Sequence, residues 1–214
     1  MSPQDIAGIL LRLGAVRVSV YPPFTWTSGM RSPIYCDNRI LLSHPEERDA
    51  IVDGLVSMIH LLPQRPHVIA GTATAGIGWA ALVADRLKLP MVYVRPKPKE
   101  HGAGKQIEGK LPPKSHVVVV EDLISTGGSA LNTMSALRKE GGCTVSDIIA
   151  IFTYGFPKAE NAAKEAKVTL HALSHFAALL EVAEKNGALK KEDIRAAATF
   201  SENPEGWNPK GGVK

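Results

Sequence analysis

The stretch His116–Ser129, HVVVVEDLISTGGS, decides how the rest of the chain is read. Its four consecutive valines are β-branched and apolar without alternation, which suits a strand buried on both faces, as in a parallel sheet. Glu121 and Asp122 follow with no spacer, where such a strand would leave the core. Ser125-Thr126-Gly127-Gly128-Ser129 is then a run of hydroxyls and glycines ahead of a helix-like segment. Glycines let a phosphate approach the backbone, and N–H groups at a helix N-terminus attract it. Carboxylates accept hydrogen bonds from sugar hydroxyls or stabilise a cation. The stretch predicts an anion-and-sugar site rather than an ordinary βα turn with solvated acids.

Working outward, strand-like and helix-like segments alternate. Val68–Ala70 and Met91–Val94 read as strands, as do Val145–Phe152 and Val168–Leu173. A helix is expected from the Gly71–Gly78 turn to about Leu87, and another carries Leu131, Met134 and Leu137 until Gly141-Gly142 stops it. Ser2-Pro3 opens an N-terminal helix, and Ser43 with Glu46 reads as a capping box for the helix bearing Ile51, Leu55 and Ile59. Ser174 is expected to cap a helix closed by Gly187, and Lys191–Phe200 forms the last one. This order implies βαβ units around a parallel sheet, whose ligands sit outside the carboxyl ends of the strands. Gly71–Gly78, the segment after Val94, and Glu121–Ser129 would all emerge at that edge.

Other stretches lack that regularity. Tyr21 to Arg39, YPPFTWTSGMRSPIYCDNR, carries three prolines and a Ser-Gly, so turns join short extended pieces; its aromatics and hydroxyls suit a core cover or a pocket for a flat ligand. The segment after Arg95, PKPKEHGAGKQIEGK, has almost nothing to bury and reads as a mobile excursion, a lid candidate. It puts Lys97, Lys99, His101 and Lys105 behind Arg95, cations suited to a polyphosphate leaving group.

Composition narrows the class. With 214 residues, 44% of them hydrophobic, the chain can bury one α/β core. No apolar run is long enough to span a membrane, and Asp5 and Arg12 interrupt any signal-peptide pattern. Cys36 and Cys143 form no ligand cluster and suit a reducing cytoplasm. The net charge of +4 is spread along the chain, without a basic stripe interleaved with aromatics, so no nucleic-acid partner is expected. Neither histidine nor cysteine spacing argues for a protein-held metal; any magnesium would arrive with phosphates, keeping several waters. His116, His171 and His175 read as structural or exposed. Gly76-x-Gly78-x-x-Ala81 matches a relaxed dinucleotide fingerprint, but the next strand ends in Arg95 where an acid for the ribose belongs. A tight βα turn beside a ligand is the better reading.

VVVVEDLISTGGS closely resembles the signature for 5-phosphoribosyl-1-diphosphate (PRPP) in type I phosphoribosyltransferases. FTWTSGMRSPIYCDNR resembles the N-terminal segment of orotate phosphoribosyltransferases, and RPKPKEHGAGKQIEG their catalytic loop, R-x-x-x-K-x-H-G. The resemblance runs in order over nearly the whole chain. It implies the type I phosphoribosyltransferase fold: α/β, with a central, mostly parallel sheet flanked by helices and a small N-terminal hood. One domain would span residues 1–214, with residues 1–40 forming the hood over the base site.

Carried over onto these residues, the resemblance implies that Glu121 and Asp122 hold the ribose hydroxyls. Leu123, Ile124, Ser125, Thr126, Gly127, Gly128 and Ser129 complete the PRPP signature, with Ser125 to Ser129 cradling the 5'-phosphate. Lys99 and His101 would close over the diphosphate, and Arg95 would reach it in the neighbouring subunit of a homodimer with shared sites. Lys99, His101 and Asp122 are the implied catalytic groups, and Tyr35 and Ser125 the implied orotate contacts. Two positions depart from part of the family, which carries lysines where Thr27 and Ala75 stand here. The implied reaction joins orotate to PRPP with magnesium, giving orotidine 5'-monophosphate and diphosphate in pyrimidine synthesis. Alternatives are a transferase for another base, which would not need the Tyr21–Arg39 segment, and a non-catalytic PRPP sensor, which would be expected to lack the basic loop.

Overall fold

A computed structural model describes residues 1–98 and 104–209. Helix α1 (Pro3–Arg12) starts as its sequence predicts, with the Ser2 hydroxyl and the Asp5 carboxylate capping each other's backbone. The next residues form short antiparallel pairs: β1 (Val16–Val18) with β4 (Ile34–Cys36), and β2 (Phe24–Thr25) with β3 (Arg31–Ser32). A 3-10 helix (Asn38–Ser43) leads into α2 (Pro45–His60). There follow β5 (Val68–Thr72), α3 (Gly76–Leu87), β6 (Met91–Val94), β7 (Ile107–Glu108), β8 (Val117–Ile124) and α4 (Gly128–Lys139). The remainder is β9 (Asp147–Thr153), α5 (Pro157–Glu165), β10 (Thr169–His175), α6 (Phe176–Lys185) and α7 (Lys191–Glu202).

The central sheet has six strands in the order β10-β9-β8-β5-β6-β7, all parallel except the β6–β7 pair. The valine run explains itself here. Val118 and Val120 enter one core with α1, α2, α3, α6 and α7, while Val117 and Val119 enter a second with α4 and α5. Successive strand residues point to opposite faces, and both faces are covered, so both must be apolar. Close approach also fixes the loop after β5: a Cβ on Gly76 would lie 2.6 Å from the Val120 carbonyl oxygen. Gly76-x-Gly78 is thus a packing turn against β8, as its sequence context suggested.

Three expectations need correction. Ser43 does not cap α2; it ends the 3-10 helix, and His44 takes the N-cap position without a side-chain bond. Pro45, with its fixed φ, sets the first turn instead. Ser174 does not cap α6, because it is buried in β10 and donates to the Pro3 carbonyl at 2.7 Å; His175 Nδ1 accepts from the Ala178 amide. Finally, the polar excursion is shorter than its composition suggests, since Ile107-Glu108 pairs with β6 and Ile107 packs on the second core.

Candidate active site

Strands β5, β8 and β6 are neighbours and parallel, so their carboxyl ends and the loops after them share one edge. Pairing of β5 with β8 ends at Gly71–Val120, and Glu121 and Asp122 lie just beyond it. Glu121 is only 3% exposed. Its Oε2 accepts from the Ser129 hydroxyl at 3.0 Å and its Oε1 from the Asp122 amide at 3.2 Å. Burial, reinforced by the adjacent Asp122 charge, pushes the Glu121 carboxyl up to about 8. Burial raises Asp122 as well, opposed chiefly by its hydrogen bond with Glu121 and those from the Asp122 and Leu123 amides, and least by the Arg39 charge. The pair is short of positive charge. A cation or a set of hydroxyl donors brought to it relieves that shortage.

After Ile124 the chain turns through Ser125 and Thr126 to Gly127, whose φ of +79° is left-handed and costs a glycine little. Gly127 is the N-cap of α4 and has no side chain to occupy the first-turn N–H groups. Those of Gly128 and Ser129 therefore face the turn with the positive end of the helix dipole behind them. Ser129 is engaged with Glu121, which ties the anion turn to the acidic pair.

Beside this turn lies a cavity of about 290 Å³. The β2–β3 hairpin supplies Thr25, Trp26, Thr27 and Ser28; β4 supplies Tyr35 and Cys36; β8 and its exit supply Leu123 and Ser125; Tyr154 follows β9. Trp26 stacks on Tyr154 with ring centroids 5.2 Å apart, and its indole N–H donates to the Ile34 carbonyl at 3.0 Å. Arg17 lies over the Tyr35 ring at 5.1 Å, a cation–π contact that fixes the ring at the cavity wall. The walls are flat and aromatic with a few hydroxyls, which suits a planar polar heterocycle.

The structure thus brings together Glu121, Asp122, the Ser125–Ser129 turn and Tyr35. Arg95 is elsewhere: it follows β6, two strands from β8, with its guanidinium 3.7 Å from Glu108. The loop it begins is closed by Gln106, whose side chain donates to the Arg95 carbonyl at 2.9 Å and whose own carbonyl accepts from the Arg95 amide at 3.0 Å. Lys99 and His101 lie outside the described residues. Thr27 lines the cavity, and Ala75 begins α3. Sequence reading missed Trp26 and Tyr154 as partners. The aromatic Tyr21–Arg39 segment hinted at the first; nothing local singles out a tyrosine after β9.

The description of the matching family model is "Phosphoribosyl transferase domain", and it covers residues 40–184. An orotate phosphoribosyltransferase of Cutibacterium acnes is 49% identical over 205 residues, 96% of this chain and 94% of the relative. The chain belongs to the orotate phosphoribosyltransferase family. A crystal structure of an orotate phosphoribosyltransferase from Aeropyrum pernix matches with a TM-score of 0.73 and 32% identity, covering 86% of this chain and 99% of that one. An adenine phosphoribosyltransferase from Leishmania tarentolae shares the fold, with a TM-score of 0.60 and 23% identity over 85% of this chain and 96% of that one. The fold alone therefore does not choose the base.

Proposed function

We propose that this enzyme transfers the 5-phosphoribosyl group of PRPP to orotate, releasing diphosphate. The observation that carries this reading is that Leu123 and Ser125 line the aromatic cavity while standing between the acidic pair and the glycine turn. A planar base in the cavity and a ribose phosphate on the turn would face each other across one strand exit. The bond from C1 of the ribose to the diphosphate oxygen breaks, and its electron pair leaves with diphosphate. A bond from C1 to the base nitrogen forms. C1 carries positive charge in between, which the Glu121–Asp122 pair suits. Orotate is an easily ionised nucleophile, so positioning and exclusion of water outweigh strong base catalysis.

The remaining assignments follow from this reading. Ser125, Thr126, Gly127, Gly128 and Ser129 cradle the 5'-phosphate, Glu121 and Asp122 take the ribose hydroxyls, and Leu123 and Ile124 shape the strand exit. Tyr35 and Ser125 contact orotate, with Trp26 and Tyr154 added as its stacking walls. Residues 1–40 act as the hood, and residues 1–214 work as one phosphoribosyltransferase domain. Lys99 and His101 close over the diphosphate, with Arg95 acting in the partner subunit of a homodimer; its place beside Glu108, away from the acidic pair, accords with that division. Magnesium would be bound mainly through PRPP, its diphosphate and water, beside rather than on the Glu121–Asp122 pair that takes the ribose. Brought in by PRPP, it would neutralise the departing diphosphate. Both cysteines are free thiols, and among the described residues no helix is long and apolar enough to cross a membrane; we place the enzyme in the cytoplasm.

The deciding experiment competes orotate against adenine with PRPP and magnesium, followed by absorbance. Orotate should be consumed and adenine left untouched. Consumption of adenine alone would reassign the cavity, and consumption of neither would support a sensor.

A further inference from the structure

The hood and the ribose edge meet at one buried amide. Asn38, the first residue of the 3-10 helix, has no exposed surface. Its Nδ2 donates to the Asp122 carbonyl at 2.7 Å, across 84 positions of sequence. Its Oδ1 accepts from the Cys36 thiol at 3.3 Å, and Cys36 is a wall of the base cavity. Because β5 stops pairing at Val120, the Asp122 carbonyl lies past the last strand contact on that side and takes its hydrogen bond from a side chain instead. Only a group that donates on one side and accepts on the other serves both neighbours, and a carboxamide does so. Removing it would leave a partly buried backbone carbonyl unpaired beside two carboxylates.

We propose that Asn38 is a positioning residue of the transferase: it sets the Asp122 segment of β8 against the hood-borne base cavity, so that ribose and base meet in line. The inference rests on the transferase reading above. Asn38 touches neither substrate in this account; it acts through Asp122 and Cys36. The charged or titratable groups around the link are Glu121, Asp122, Asp37, Arg39, Cys36, Tyr35 and Tyr154. Arg39 is held by Asp37 through two hydrogen bonds, at 2.6 and 2.9 Å, so the link itself must be neutral to avoid a further negative charge at the pair.

The test compares Asn38→Ala, Asn38→Asp and Ser174→Ala at saturating PRPP and orotate, well below each thermal midpoint. Ser174 is the control, equally buried and hydrogen-bonded to Pro3 on the far side of the first core. Asn38→Ala should lower kcat about ten- to a hundredfold, the scale of a small misplacement of reacting groups, with little change in the KM for PRPP. Ser174→Ala should lower the Tm and leave kcat within about twofold, since a lost hydrogen bond far from the chemistry costs stability only. Asn38→Asp, nearly the same shape, should move the acid limb of the pH–kcat profile to higher pH, because the added carboxylate holds protons on the pair. If Asn38→Ala does not fold, that profile decides. Wild-type kcat with an unshifted profile in the Asn38 variants would overturn the proposal, however far their Tm falls. A wild-type protein without orotate turnover would instead remove the transferase reading.

Discussion

The two ends of the β8–β9 pair treat a buried carboxylic acid in opposite ways. At the amino end, Asp147 is 6% exposed, and its oxygens meet His171 Nε2 at 2.8 Å and the Ser146 hydroxyl at 2.6 Å. Its surroundings answer in kind. The His116 amide donates to His67 Nδ1 at 3.0 Å, and His116 Nδ1 meets the Thr144 hydroxyl at 3.3 Å. Burial lowers the His116 imidazole, which favours its neutral form. At the carboxyl end, Glu121 is buried just as deeply, but its chain neighbour is another acid. One edge gives its buried acid a histidine and a hydroxyl, though His116 Nε2 stays buried without a partner, and the other sets its buried acid beside a second acid. The difference separates a structural end from the proposed reactive one on the same strands.

The largest effect should come from Asp122→Asn, which keeps the shape and removes a charge. We expect kcat to fall about a hundredfold or more with little change in Tm. Mixing this variant with Lys99→Ala, which should also lose turnover by orders of magnitude, should restore part of the activity if sites are shared between subunits. No recovery after confirmed subunit exchange would place Lys99 in its own subunit's site.

At the opposite end, Asp147→Ala should leave kcat unchanged and cost about 2 kcal/mol of stability in urea unfolding, since His171 and Ser146 lose their partner. An effect on kcat would break the division between the two ends.

The smallest effect is a gain. The raised Glu121 carboxyl means that the folded chain holds a proton the unfolded chain releases above its ordinary pKa of about 4.5. Its contribution to stability is full below that value and is lost as pH rises toward about 8. Glu121→Gln should therefore be more stable than wild type at pH 8, by about 1 kcal/mol, and no more stable at pH 4. Equal stability at both pH values would show that Ser129 and the Asp122 amide already satisfy the acid.

Much of this was legible before any tertiary contact was known. The valine run, the adjoining acids and the glycine turn stand next to one another in the chain, so a local pattern suffices to predict strand, turn and helix. Capping was legible at Ser2, where the acid three residues on completes the box, and misleading at Ser43, where a 3-10 helix intervenes. The same logic failed at Ser174. Its environment is set by α1 lying across β10, a contact that no nearby residue announces.

From sequence alone follow the parallel sheet, the acidic strand exit with its glycine turn, and the aromatic character of the Tyr21–Arg39 segment. Those follow from periodicity and turn chemistry, which act over a few residues. Tertiary structure alone decided that Trp26 stacks on Tyr154, that Asn38 holds the Asp122 carbonyl, and that Arg95 faces Glu108 rather than the acidic pair. Each joins segments whose local propensities are indifferent to one another. Only packing on the common sheet brings them within contact distance, and the aromatic cavity exists only once they have met.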